Sequence, residues 1–241
     1  MMERADIDCT LCQVRASGVF RCLEGPALRE LDDGKQVQRF HRGQTVFYEG
    51  APPLALYCIH LGTIKLFKTG EGGTTQVIRL LGAGEMIGYR PLLADEPCAA
   101  TAEALVDSTL CVIPRELILG LIRSSERLAL ELLAWLARDL RISEDQLVSL
   151  TQHPVRQRTA QLLLFLQGGT SSQSGPGEST GIPTRTRIAL RRKEMAQMIG
   201  TTPETLSRTL RDFGRQGLIR LTRAELVLED VDGLGRIARA R

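Results

Sequence analysis

The six cysteines of this 241-residue chain are the residues with the clearest capacity for chemistry. Three follow the spacing Cys9-x2-Cys12-x9-Cys22, and Cys111 lies in STLCVIPRE, just before a long helical pattern. The N-terminal sequence MMERADIDCT carries charges where a secretion signal needs an apolar region, so we expect a cytoplasmic protein with reduced thiols. Core packing, metal binding and redox chemistry therefore remain as explanations for the cysteines.

The other two cysteines, Cys58 and Cys98, have no such spacing. Free cysteine is often buried as a small hydrophobic residue, so core packing is the first interpretation of both. The histidines also lack the spacing of ligands and are interpreted as structural residues: His41, His60 and His153.

A second pattern that predicts a functional site is RRKEMAQMIGTTPETLSRTLRDF, residues 191–213. Gly200 ends one predicted helix, and Thr201 or Thr202 can cap the next. In that next helix Leu206, Leu210 and Phe213 face inward. Two helices joined by a tight glycine-containing turn form a helix-turn-helix, whose second helix presents its N-terminal side chains to base edges. The following LTRAELVLE predicts a β-wing.

The positive charge of the chain is concentrated in this region. Residues 183–223 contain ten basic and three acidic side chains, a net charge of +7, whereas the whole chain carries +3. The remaining residues are therefore mildly acidic. A compact basic segment that coincides with a helix-turn-helix predicts binding to double-stranded DNA, with a solvated arginine-rich face as the alternative.

The elements that must position these residues form an α+β arrangement. Residues 35–113 contain short runs rich in β-branched and aromatic side chains between glycines, which predicts a β-sandwich or a β-barrel. A long helical pattern follows until His153-Pro154 ends it. The predicted boundaries are a cysteine-bearing segment (1–30), a β-barrel (31–114), a long helix (115–152) and a winged helix-turn-helix (153–241), with a Gly/Ser-rich loop at 168–181.

The long helix has two apolar faces. One repeats in steps of four and three: Ala129, Leu133, Leu136, Leu140, Ser143, Leu147 and Leu150. The other lies beside it: Leu128, Leu132, Trp135 and Ile142. A helix of this kind has two partners, so we expect it to pack on its own β-domain and on a second copy of the chain. The alternative is a helix buried inside a monomer.

Over roughly residues 9–235 the chain resembles the CRP/FNR family of bacterial transcription regulators. The runs FHRGQTVFYEG, LYCIHLGTIKLF and LLGAGEMIG are similar to its cyclic-nucleotide-binding-type β-barrel, which is a jelly roll. The long helix is similar to its dimerisation helix, and TTPETLSRTLRDFGRQGLI to its recognition helix and wing. The resemblance implies a homodimeric DNA-binding regulator that acts with RNA polymerase and is not an enzyme. The dimer interface would include Leu133, Leu136, Leu140 and Leu147.

No membrane partner is expected, because the longest apolar runs are too short to span a bilayer. A ligand-binding module without DNA function is the alternative from another class.

The cysteines resemble those of the FNR-like branch of the family. This implies an oxygen-labile [4Fe–4S] cluster, and hence oxygen or redox sensing, with the ligands Cys9, Cys12, Cys22 and Cys111. The gap between Cys12 and Cys22 is longer than in that branch, which leaves Cys58 and Cys98 as spare candidates. Zinc on four cysteines, a thiol–disulfide switch and a haem-based sensor are the alternatives.

The family's cyclic-AMP-binding branch has a Gly-Glu pair and, further along, an Arg-Ser pair that holds the cyclic phosphate. This sequence contains Gly84-Glu85, but at the position of Arg-Ser it has Pro97-Cys98-Ala99-Ala100. Burying a phosphate without a guanidinium partner is unfavourable. We therefore expect no cyclic nucleotide as a ligand.

The resemblance also implies how DNA bases are read. Glu204, Ser207 and Arg208 share one helical face. Glu204 can accept from a cytosine amino group and Arg208 can donate to guanine, which predicts a palindrome like TTGAT-N4-ATCAA. The expected phosphate contacts are Thr202, Thr205 and Arg211.

Overall fold

The computed structural model describes residues 7–70, 72–73, 75–167, 191–222 and 226–239. Its elements in chain order are α1 (Gln13–Ser17), a 3-10 turn (Val19–Cys22), α2 (Gly25–Gly34), β1 (Gln36–Phe40), β2 (Thr45–Phe47), β3 (Ala55–Leu61), β4 (Thr63–Thr69), β5 (Thr75–Gly82), β6 (Met86–Ile87), α3 (Tyr89–Ala94), β7 (Thr101–Ala104), β8 (Ser108–Pro114), α4 (Arg115–Ser124), α5 (Glu126–Gln152), α6 (Val155–Gln167), α7 (Arg192–Met198), α8 (Pro203–Arg215), β9 (Ile219–Leu221), β10 (Leu226–Leu228) and α9 (Val231–Ala238). They divide into two compact units, one within residues 1–68 and 78–142 and the other within 69–77 and 143–241. No helix in the described part of the chain is both long and apolar enough to cross a membrane.

The β-domain consists of two four-stranded sheets with the orders β1-β8-β3-β6 and β2-β7-β4-β5. Strands that alternate inward and outward side chains can share one apolar layer between two sheets. That layer contains Ile59, Ile64, Leu81, Ile87, Ala102, Ala104 and Leu110. The predicted β-domain of jelly-roll type is thus confirmed.

The register of the antiparallel β3–β8 pair determines where two of the cysteines lie. Ala55 lies opposite Pro114, and Cys58 lies directly opposite Cys111. Directly opposed residues in an antiparallel pair have their Cβ atoms about 4.5–5.5 Å apart on the same face of the sheet. The ladder therefore fixes two thiols side by side.

The N-terminal segment is helical, which the sequence pattern did not predict. It contains α1, the 3-10 turn and α2, and Pro26 lies at the start of α2. The predicted boundary at residue 30 falls inside α2, and the first strand of the β-domain begins at Gln36. The segment is held by a second core, which includes Val19, Phe20, Cys22, Leu23 and Leu31.

The single helix predicted for residues 115–152 is in fact two helices. α4 ends at Ser124 and α5 begins at Glu126. The Ser125 hydroxyl accepts a hydrogen bond from the Leu128 N–H at 3.2 Å, so it caps the new helix in place of a continuing backbone bond. Serine commonly caps helices in this way, and the apolar periodicity that predicted one helix does not report such a break.

The two faces of α5 differ in exposure as predicted. Leu128, Leu132 and Trp135 are buried in the second core with the N-terminal segment. The other stripe remains on the surface of the single chain: Leu133, Leu140 and Leu147 are 61–64% exposed. Three large leucines in one row on a helix are typical of an interface with another molecule.

Charged and polar groups are also buried where the β-domain meets α5. Arg79 of β5 forms an ion pair with Asp139, and the Tyr89 hydroxyl donates to the Asp139 carboxylate. Arg79 also lies 3.7 Å from the buried Glu85 carboxylate. Buried charges of this kind are tolerated because they are paired. They fix α5 on the β-domain and leave the leucine stripe free.

In the second unit α6 packs against α9 and α8. The amides of Gln157 and Gln161 both donate to the Ala238 carbonyl, at 3.1 and 3.0 Å. Leu206, Leu210 and Phe213 of α8 are fully buried, as their spacing predicted. The Gly/Ser-rich loop predicted at 168–181 lies outside the described residues.

The leucine stripe can be tested by Leu140→Glu. We expect this variant to be monomeric, because each chain would place a carboxylate against its symmetry mate. Ala134→Glu is the matched control: Ala134 is exposed on the same helix but lies away from the stripe. Sedimentation velocity measures both, and a dimeric Leu140→Glu protein would show that the interface is elsewhere.

Candidate functional sites

A cavity of about 40 Å³ lies between the N-terminal segment and the sheet that contains β3 and β8. Four cysteines line it: Cys9, Cys12, Cys58 and Cys111. Its remaining wall is largely apolar and includes Val14, Phe20, Leu31, Met86 and Ile113. Two separate parts of the chain thus supply two thiols each.

The N-terminal thiols are positioned by backbone hydrogen bonds. The Cys9 N–H donates to Asp32 Oδ1 at 2.8 Å, and Cys12 caps α1 by accepting from the Arg15 N–H at its Sγ at 3.4 Å. The Arg15 guanidinium donates to the carbonyls of Cys9 at 2.6 Å and Phe20 at 3.1 Å. Arg15 therefore closes the cysteine loop and adds a positive charge to the cavity wall.

The thiols of the β-domain are positioned by strand geometry. Cys58 of β3 is opposite Cys111 of β8, and His60, at an irregular point of the same ladder, also lines the cavity. His60 Nδ1 lies 3.7 Å from Cys12 Sγ, where its role as donor or acceptor depends on the tautomer. The sequence pattern, which assigns His60 a structural role, does not predict this position at the cavity.

Cys22 is not among the residues that line the cavity. It ends the 3-10 turn, is buried in the second core, and donates from Sγ to the Val19 carbonyl at 3.3 Å. Cys98 is also buried, in a loop whose backbone pairs with Gly50 and Ala51. The structure therefore brings together three of the four predicted ligands, and adds Cys58 to them.

Cys9, Cys58 and Cys111 of the cavity have raised pKa values. The pKa of Cys9 is raised to about 12, mainly by burial and secondly by a hydrogen bond with Asp32. Burial also raises the pKa of Cys111 to about 11. Burial, together with the neighbouring Cys111, Cys9 and Cys12, raises the pKa of Cys58 well above its usual value. A metal must therefore displace protons in order to bind here. In the described residues no three His, Cys, Asp or Glu side chains are grouped closely enough to hold a single metal ion.

The helix-turn-helix is formed by α7 and α8. Gly200 adopts a φ of +61° in the turn between them, a conformation that favours glycine. The Arg158 guanidinium of α6 donates to the Ile199 carbonyl and so holds the turn against the body of the unit. The predicted turn at Gly200 agrees with this geometry.

The side chains predicted to contact DNA lie along α8. Glu204, Arg208 and Arg211 are exposed, and Ser207 is half-buried between them. The Arg211 Nε–H donates to the Ser207 carbonyl at 3.3 Å, which lays Arg211 along the helix. The exposed groups thus form one continuous surface beginning at the N-terminal end of α8.

The two threonines predicted as phosphate contacts have a structural role. Thr202 caps α8 by accepting from the Thr205 N–H at 3.2 Å, and the two hydroxyls are 3.1 Å apart. Neither interaction prevents a hydroxyl from facing a phosphate, so their DNA contacts stay predictions.

The wing predicted after α8 is formed by β9 and β10, which pair antiparallel with Leu228 opposite Ile219. Arg220 of β9 forms an ion pair with Glu229 at 2.8 Å, which offsets part of the basic charge. Arg185, Arg187 and Arg223 of the basic segment lie outside the described residues.

The region around Gly84-Glu85 is occupied by interactions within the protein. Glu85 is buried, and its carboxylate accepts from the Gly82 N–H at 2.8 Å beside Arg79. The segment corresponding to the family's Arg-Ser pair ends in Ala100, which is also buried. The acidic side chain of this region therefore already has partners in the protein.

Comparison with known proteins agrees with this geometry. Residues 37–125 match the family model of the cyclic nucleotide-binding domain, and residues 157–237 match that of the Crp-like helix-turn-helix domain. The cyclic AMP receptor protein of Thermus thermophilus is 34% identical over 77% of this chain and 80% of its own length. The fumarate and nitrate reduction regulatory protein of Escherichia coli K12 is 25% identical over 96% of this chain and 90% of its own. The structure of FixK2 from Bradyrhizobium japonicum has a TM-score of 0.72 at 22% identity, covering 86% of this chain and 98% of that one, and supports the fold.

A cyclic-nucleotide-binding-type β-domain followed by a winged helix-turn-helix defines a DNA-binding transcription regulator. The chain belongs to the CRP/FNR family. Regulators of this family bind DNA and act as dimers.

The cap of the recognition helix can be tested by Thr202→Ala. Loss of the hydrogen bond to the Thr205 N–H should lower the free energy of unfolding of the C-terminal unit by about 1 kcal/mol. Thr202→Ser keeps the acceptor and is the control. Urea unfolding measures both, and equal stabilities for Thr202→Ala and the parent chain would contradict the capping role.

Proposed function

We propose that this chain is a homodimeric CRP/FNR-type transcription regulator that senses oxygen or redox state through a [4Fe–4S] cluster. The observation that carries the proposal is the cavity lined by Cys9, Cys12, Cys58 and Cys111. Cysteine thiolates are the usual ligands of such clusters. When bound, the cluster would supply an oxygen-sensitive link between the N-terminal segment and the β-domain.

The residues of the cavity fit an iron–sulfur group. All four candidate ligands are sulfur atoms, and the Cys12 sulfur already accepts a backbone N–H. Hydrogen bonds to sulfur and the surrounding hydrophobic wall tune such clusters. Four thiolates on a [4Fe–4S]²⁺ core leave a net charge of −2, which Arg15 can offset from the wall of the cavity.

Two alternatives are less well supported by the cavity. A single zinc ion draws four sulfurs to about 2.3 Å from one point, whereas these thiols surround an open volume of about 40 Å³. A thiol–disulfide switch needs an accessible thiolate, but Cys9 is buried and its pKa is raised to about 12. A cluster is larger than one metal ion, so it suits thiols that surround an open volume better than either alternative does.

The packing connects the cysteine cavity with α5, the helix that carries the proposed dimer interface. The N-terminal segment that bears Cys9 and Cys12 also shares a core with the buried face of α5, through Phe20 and Leu23. Arg21 forms an ion pair with Glu131 of α5 at 3.0 Å. Releasing the segment from the cavity would loosen one face of α5, while the adjacent face carries the leucine stripe. A ligand shifts such an equilibrium only through contacts that differ between the two states.

On DNA, a dimer would present two copies of α8 to successive major grooves. Glu204 and Arg208 would read bases, Ser207 would add a weaker contact, and the helix-capping threonines and Arg211 would position the backbone. This supports a palindrome resembling TTGAT-N4-ATCAA. Action with RNA polymerase is part of the proposal through the family resemblance.

We extend the proposal to the absence of cyclic-nucleotide control, although the β-domain belongs to the cyclic nucleotide-binding type. The Glu85 carboxylate is already paired within the protein, and the Arg-Ser position holds small apolar residues, including Ala100. A buried phosphate would lack a cationic partner there. Cyclic AMP should leave operator affinity unchanged, and a large increase would contradict this part of the proposal.

Iron content tests the cluster directly. We expect protein isolated without air to be brown and to contain about four irons and four acid-labile sulfides per chain. Cys12→Ser should remove most of the iron because it removes a ligand, whereas Cys98→Ser should not. A colourless protein with one zinc per chain would overturn the cluster but leave the fold and the DNA-binding function intact.

Base readout is tested by comparing Arg208→Ala with Arg211→Ala. The first should cost about 1–3 kcal/mol of binding and flatten discrimination at the guanine. Arg211→Ala should weaken binding to all DNA sequences equally, and it should lower the slope of log K against the logarithm of the salt concentration by about one. Anisotropy titrations on variant operators measure both. Unchanged base preference in Arg208→Ala would contradict its assignment.

A further inference from the structure

We infer that Cys58, and not Cys22, completes the thiolate set with Cys9, Cys12 and Cys111. The inference rests on the proposed function, because it names the ligands of the same cavity. It differs from the ligand set that the family resemblance implied. It follows from three separate features: strand register, the lining of the cavity and the packing of Cys22.

The strand register places Cys58 where a ligand is needed. It lies directly opposite Cys111 in the β3–β8 ladder, and both thiols line the cavity. The ladder hydrogen bonds on both sides of this pair fix the two Cβ atoms independently of any ligand. The β-domain therefore offers a preformed pair of sulfurs, to which the N-terminal segment adds Cys9 and Cys12.

The surroundings of Cys58 support the same assignment. The Cys58 thiol interacts electrostatically with the three other thiols of the set, Cys9, Cys12 and Cys111, so the four thiols lie near one another. It is partly buried and packs at the edge of the second core, beside the open volume. His60, which is also in β3, lies beside the Cys12 sulfur and joins the two halves of the site.

Cys22 is held away from the cavity by its own packing. Its side chain is 6% exposed, and its sulfur donates to the Val19 carbonyl within the 3-10 turn. The charged groups near it are Glu131, Arg127 and Arg21, not the other cysteines. To reach the cavity, Cys22 would have to leave the core and unwind the turn. Its role is then that of a small buried hydrophobic residue.

The decisive variant is the double substitution Cys22→Ala/Cys98→Ala, which leaves only the four cysteines of the cavity. After anaerobic reconstitution with iron and sulfide, this chain should carry the iron, the sulfide and the visible absorption of the parent protein. Both substitutions remove buried thiols without adding a polar group, so the fold should survive, and far-ultraviolet circular dichroism checks this.

The complementary variant is Cys58→Ala, which should lose most of the iron and of the visible absorption. If Cys58→Ala fails to fold, the double variant alone still decides the assignment. Loss of iron from the folded double variant would overturn the inference, and the single variants Cys22→Ala and Cys98→Ala would then identify the ligand. Absence of iron from the parent protein, by contrast, would overturn the proposed function itself.

Discussion

The pairing of β3 with β8 is the constraint on which the rest of this structure depends. Its register, which places Ala55 opposite Pro114 and Cys58 opposite Cys111, sets two things at once. It places Cys58 beside Cys111 at the wall of the cavity. It also determines where β8 ends, at Pro114, and therefore where α4 and then α5 begin. A slip of one residue would turn the cysteines to opposite faces and shift the start of α4. The candidate sensor and the candidate dimer helix are therefore fixed by the same hydrogen bonds.

Much of the architecture could be predicted from periodicity. The two apolar faces of α5, the turn at Gly200 and the buried Leu206, Leu210 and Phe213 all follow from helical spacing, which depends on burial and therefore leaves a trace in the sequence. Local hydrogen bonds depend on single residues and are therefore harder to predict from the sequence. The cap at Ser125 divides the predicted long helix, and the helices before β1 are short and held by tertiary packing, so neither was expected.

The candidate metal site could be predicted only in part, for a physical reason. Cys9 and Cys12 are close in sequence, so their spacing alone suggests a common ligand. The partnership of Cys58 with Cys111 depends on strand register between distant segments, which no local pattern encodes. Cys22 shows the converse: its nearness in sequence to Cys12 suggested a shared site, but the 3-10 turn directs its sulfur to the Val19 carbonyl.

In the proposed mechanism, occupancy of the cysteine cavity controls pairing through α5. Sedimentation velocity of one anaerobic, iron-loaded sample, measured before and after exposure to air, tests this coupling, with visible absorption recorded in the same cell. The dimer should become monomeric as the absorption is lost, because the N-terminal segment then ceases to support the buried face of α5. An unchanged sedimentation coefficient after complete loss of the absorption would contradict it.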